Sequence, residues 1–151
     1  MKNLIYYLIV LMFFTGCKSK SIEIKSDCGN ILEVQYDKNG KHTLSEKEKS
    51  KNYLTIYFLD EFNDHIKINI NQKEVFNKGV VTDTTKFDTY SSVFTYKLSS
   101  EQNNYVIKGY SERTKTCFEV PINTKYRIIY LYYYNKKWIV RFSNELIDFQ
   151  N

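Results

Sequence analysis

Residues 65–70 read HIKINI, with Ile66, Ile68 and Ile70 alternating with His65, Lys67 and Asn69. A period of two sends successive side chains to opposite faces of an extended chain, so the segment is a strand with one apolar and one solvated face. The signature recurs along the chain. Short apolar runs stand at ILEVQY (31–36), YLTIYFL (53–59), EVFNKGVV (74–81), SVFTYKL (92–98), YVIKGY (105–110), CFEVPI (117–122), YRIIYLYYY (126–134) and KWIVRF (137–142). Strands of this length and spacing predict an all-β domain over residues 31–151, an antiparallel β-sandwich of about seven to nine strands. Its expected geometry is Ig-like, although the Cys, Trp and Cys pattern of true immunoglobulin domains is missing.

Turn residues support several pairings. Asn39-Gly40 is a strong hairpin signal because both residues tolerate positive φ. Asn71-Gln72 and Asn135-Lys136 occupy the same position between apolar runs. YRIIYLYYY is apolar on both faces, which predicts a central strand, and Trp138, Val140 and Phe142 share one face of its neighbour. Pro121 lacks an amide donor and belongs at an edge or bulge. The stretch LSEKEKSKN (44–52) fits a solvated charged loop better than a stable helix, despite a capping-box pair at Ser45 and Glu48.

The N-terminus is of another kind. MKNLIYYLIVLMFFTG carries one cation, Lys2, an apolar block from Leu4 to Phe14, and two small residues before Cys17. The block is about half the roughly 20 residues that cross a bilayer, so residues 1–16 read as a secretory signal peptide. Phe14-Thr15-Gly16-Cys17 resembles the lipobox of bacterial lipoproteins. That resemblance implies a diacylglyceryl group on the Cys17 sulfur, cleavage before it, and acylation of the new amino terminus. Several acyl chains, at roughly 0.8 kcal/mol per buried CH₂, would anchor the protein without spanning the membrane. Lys18 stands where an aspartate would retain an enterobacterial lipoprotein at the inner membrane, so the resemblance implies the outer membrane. Residues 17–30, polar and short of core residues, read as a lipidated N-terminus and tether.

The formal charge is +5, one unit of which leaves with Lys2. The charges are well mixed, no basic run suggests a nucleic-acid groove, and export argues against such a partner. Richness in Lys, Asn, Ile and Tyr resembles the proteins of AT-rich Bacteroidota.

With Cys17 assigned to lipid, Cys28 and Cys117 remain as a pair in an oxidising compartment. A bridge is the favoured reading, against two unpaired thiols. Phe118, Val120 and Ile122 share one face, which puts Cys117 on the other, so the bridge would pin the N-terminal segment across the outside of a sheet.

Three readings concern chemistry. Asp60, Glu61 and Asp64 offer the oxygen ligands calcium prefers, and a meander brings Asp83 and Asp88 to the same end; the alternative is two solvated acidic turns. No other cofactor is implied. The inventory for catalysis is thin: His42 and His65 lie near no H-x-x-x-H, G-x-S-x-G or C-x-x-C spacing. Tyr132, Tyr133, Tyr134 and Trp138 could present rings to a glycan or protein, although such residues also pack across strands by default. The resulting expectation is a lipid-anchored, non-enzymatic binding or structural module of the cell envelope, recognising a protein or glycan. An inhibitor or immunity-type lipoprotein that blocks an envelope enzyme or toxin is the alternative.

Overall fold

The computed structural model describes residues 20–38, 44–45, 49, 52–59, 62–85, 90–99, 102 and 104–147. They form β1 (Lys20–Lys25), β2 (Ile31–Tyr36), β3 (Tyr53–Phe58), β4 (Asn63–Ile70), β5 (Lys73–Val81), β6 (Ser92–Lys97), β7 (Val106–Ser111), β8 (Cys117–Pro121), β9 (Ile128–Tyr134) and β10 (Lys137–Ser143). A six-stranded sheet, β1-β2-β10-β9-β3-β6, faces a four-stranded sheet, β5-β4-β7-β8. The protein is thus an all-β sandwich.

Alternation decides which side chains meet between the sheets. Leu54, Ile56 and Phe58 of β3 and Trp138, Val140 and Phe142 of β10 enter one core with Ile66, Ile68 and Ile70 of β4 and Phe118 and Val120 of β8. Each such side chain contributes about 1.5–3 kcal/mol by leaving water. Trp138 is fully buried, its ring 4.9 Å from Phe118 and 5.3 Å from Tyr133 between centroids. Its indole N–H donates to Thr116 Oγ1 at 3.0 Å, which satisfies the one polar atom it brings inside.

Strand β9 is central, between β10 and β3, and Ile128, Ile129, Tyr130 and Leu131 are all buried. Its inner face joins the main core. On its outer face a smaller cluster of Ile128, Tyr130 and Leu59 gathers Leu44, Tyr57, Tyr132 and Ile147. Segments near Leu44 and Ile147 therefore cover the outside of the large sheet. The Tyr130 hydroxyl donates to Glu145 O at 2.9 Å and accepts from Ile147 N at 3.0 Å. Burial is the main cause that pushes this phenol up to about 12.

The turns at Asn71-Gln72 and Asn135-Lys136 have positive φ at both residues, as a two-residue hairpin of the mirror-image type requires. Pro121 ends β8, an edge strand, where its missing donor interrupts no ladder.

Four expectations change. Strands β2 with β10 and β3 with β9 pair parallel, whereas the sequence predicts antiparallel pairs throughout. The tether reading fails for residues 20–25, which form β1 and pair with β2 in six register partners. Asn39-Gly40 lies outside the described residues, and β2 pairs with β1 and β10, so no hairpin joins β2 to β3. Six strands against four, with two parallel pairs, also departs from the four-against-three antiparallel arrangement of an immunoglobulin constant domain, so the likeness stops at the sandwich.

Two substitutions test this packing. A Cβ at Gly109 would overlap the Phe118 ring, so Gly109→Ala should displace the Phe118–Trp138 pair and cost about 1–3 kcal/mol in denaturant unfolding. Tyr130→Phe should cost about 1–2 kcal/mol by orphaning the Ile147 amide. The raised phenol holds its proton in the folded state, so the stability it contributes is complete below about pH 10 and is lost as pH rises towards about 12. Alkaline unfolding followed by circular dichroism should accordingly be less steep in Tyr130→Phe than in the parent.

Candidate functional site

In β1, KSIEIK alternates Ser21, Glu23 and Lys25 with Ile22 and Ile24, and the two isoleucines remain 45% and 46% exposed. They share a face with Val34 and Leu32, their partners in β2, yet sit beyond the reach of the narrower sheet opposite. What keeps β1 in place is charge and covalent closure. Lys137 of β10 reaches across to Glu33 at 2.6 Å and Glu23 at 2.9 Å, which ties β1 and β2 to the middle of the sheet. The hydrogen bond from Lys137 is the largest cause holding the Glu33 carboxyl below its ordinary range.

The β1–β2 turn is closed by Ser26 N to Asn30 O and Gly29 N to Ser26 O, both 2.9 Å. Gly29 has φ of 80°, a conformation glycine adopts without steric cost. Cys28 in this turn is disulfide-bonded to Cys117 at the start of β8, with Cα atoms 5.5 Å apart. Asn30 Oδ1 accepts from Cys117 N at 3.0 Å and from Ser26 Oγ at 2.7 Å, so a side chain and a covalent bond fix the same junction. As its parity in CFEVPI requires, Cys117 lies on the outer side of the small sheet. The bridge clips the hairpin tip there and links the two sheets at their edge.

Between this tip and the outer face of β4, β7 and β8 runs a groove of ≈ 660 Å³. Ile24, Lys25 and Asp27 stand at the hairpin side, and the edges of Leu32, Gly109 and Phe118 also line it. The opposite wall is polar. Lys108 pairs with Glu119 at 2.6 Å, and Lys67 pairs with Glu112 at 2.7 Å. Both pairs are solvent-exposed and contribute little stability. Tyr110 and Glu74 complete the wall beside Asn69, whose Oδ1 is buried and accepts no hydrogen bond. A buried acceptor without a donor costs about 1–3 kcal/mol. The groove thus offers both signs of charge on a partly apolar lining, a combination suited to a polar polymer segment.

Few of the residues singled out from the sequence lie here. Cys17 falls outside the described residues, as do Asp60, Glu61 and Asp88. Asp64 is committed to the fold: one carboxylate oxygen accepts from Arg113 N at 2.8 Å and the other from the Ser111 hydroxyl, fastening the β7–β8 turn to β4. Asp83 accepts from Thr85 N and Thr85 Oγ1 within its own turn. Among the described residues no cluster of three metal-ligating side chains occurs. The aromatic reading is corrected. Trp138 is buried, Tyr133 packs against the main core and Tyr132 against the smaller one, which leaves Tyr134, 51% exposed, as the ring that faces solvent.

Sequence reasoning missed the groove because Lys67, Asn69 and Lys108 read simply as the wet face of strands. The one available signal was the favoured Cys28–Cys117 bridge, which already implied a segment laid across that face. Replacing both cysteines by serine should remove roughly 4–5 kcal/mol in the chain-entropy model for a loop closed over 89 residues. The check is urea unfolding of the double variant against the oxidised parent, where an unchanged midpoint would contradict the clip. Comparisons with protein families, curated proteins and solved structures find no match for this chain.

Proposed function

We propose that this chain is a non-enzymatic binding module of the cell envelope, anchored in the outer membrane by lipid on Cys17, and that it takes a polar protein or glycan segment in the groove beside the β1–β2 tip. The observation that carries this reading is a groove of ≈ 660 Å³, lined by charges of both signs, whose rim is fixed covalently. A rim held by a disulfide and by Asn30 loses little freedom on binding, and preorganisation of that kind leaves more of the contact energy as affinity. The Cys28–Cys117 bridge also fits an oxidising compartment, which accords with the export signal.

Two measurements test the proposal. Radiolabelled palmitate should enter the protein in cells and be lost in Cys17→Ala; incorporation into neither form would end the anchor reading. A photo-crosslinking residue placed at Tyr110 should form a discrete adduct in cells, and a second one at the exposed Val93 of edge strand β6 should not. The Tyr110 adduct should weaken several-fold when Lys108→Ala and Glu119→Ala together remove the ion pair of the polar wall. Adducts of equal yield from both positions would deny the groove a specific role.

A further inference from the structure

The strand register sorts the loops into two ends. Lys20 opens β1 opposite Tyr36, at the end of the sandwich where β2, β4, β6, β8 and β10 finish and β3, β5, β7 and β9 begin. The turn that holds Cys28 lies at the other end, with the β3–β4, β5–β6, β7–β8 and β9–β10 connections.

Charge divides along the same axis. At the same end as Lys20, across the width of the sandwich, Lys73, Lys97 and Lys125 are exposed. The acids described at that end are Asp37, Glu74 and Glu145. Asp37 is already held by Arg141 Nε, 2.9 Å from each carboxylate oxygen. At the opposite end the described charges offset one another: Asp27, Asp64, Asp83 and Glu112 stand with Lys25, Arg113, Lys115 and Lys136. Among the described residues, the excess positive charge therefore lies at the end where β1 starts. Lys20 is also three residues from Cys17, a span of at most ~11 Å of extended chain.

We infer that this basic end is a contact surface for anionic phospholipid, which holds the sandwich upright on the bilayer with its disulfide-clipped tip pointing away. The inference rests on the proposed anchor only for the distance. A lipid at Cys17 would bring Lys20 to within about a Debye length, ~8 Å at physiological ionic strength, of the headgroups. Basic residues that close to an anionic surface contribute about 1 kcal/mol each. Together they would give the anchored domain one preferred orientation and leave the groove tip open to a partner.

The test uses the purified processed protein, whose mass first establishes whether Cys17 carries acyl chains. It is placed on phosphatidylcholine vesicles or on mixed phosphatidylglycerol–phosphatidylcholine vesicles, and lysine acetylation rates are read by mass spectrometry. Lys73, Lys97 and Lys125 are expected to react several-fold more slowly on the anionic vesicles than on the neutral ones, with the difference abolished by 1 M salt, where the Debye length is about 3 Å. Lys25, Lys115 and Lys136 should react at the same rate on both. A lipidated protein whose two ends respond alike to anionic lipid overturns this inference and leaves the anchor intact. A protein without acyl mass that still shows end-specific protection upholds the inference and removes the anchor instead.

Discussion

The double burial of β9 is the constraint on which the remaining structure depends. A strand whose two faces are both apolar cannot lie at a sheet surface, because one face would then meet water along its whole length. With Ile129 and Leu131 turned into the main core, Ile128 and Tyr130 need a second cover, and the segments around Leu44 and Ile147 supply it. Tyr130 adds a polar reason for the same arrangement, since its buried hydroxyl is satisfied by the backbone of Glu145 and Ile147. The chain that leaves β10 must therefore fold back over the sheet it has just completed.

From that centre the sheets grow outward to edges that are handled differently. The small sheet ends at β8, whose exposed side is closed at Cys117 by Asn30 and the disulfide and lacks a donor at Pro121. The large sheet extends one strand further, to β1, a strand held by pairing with β2 and by the Lys137 link to Glu23 and Glu33. This mismatch in sheet width leaves Ile22 and Ile24 uncovered, and the clip that compensates for it folds a hairpin tip over an otherwise ordinary wet face. Stability and candidate function meet in one junction, where removing the bridge would both loosen β1 and open the groove.

Much of the fold was legible because one-face burial writes itself into strands as alternation. HIKINI, KWIVRF and CFEVPI each place their apolar residues where the pattern requires, and the turns at Asn71-Gln72 and Asn135-Lys136 carry residues that accept positive φ. The candidate site was much less legible. Asp64 resembles a free oxygen ligand until Ser111 and Arg113 are seen to occupy it, and Trp138 resembles a recognition residue until its ring is found among Phe118, Phe62 and Tyr133. In both cases the residue type is compatible with two roles, and partners distant in the chain select one of them.

The amino-acid sequence by itself determined that this protein is built from strands, which face of each strand turns inward, and where the tight turns at Asn71-Gln72 and Asn135-Lys136 fall. These are local properties, set by the period of two and by the φ preferences of a few residues. Only the tertiary structure decided strand order and direction, the parallel pairing of β2 with β10 and β3 with β9, the recruitment of residues 20–25 as an edge strand, and the gathering of lysines at one end. Alternation is unchanged when a strand is reversed or moved to another place in the sheet. Those choices therefore depend on how whole surfaces fit and on which distant segment is free to cover an exposed face.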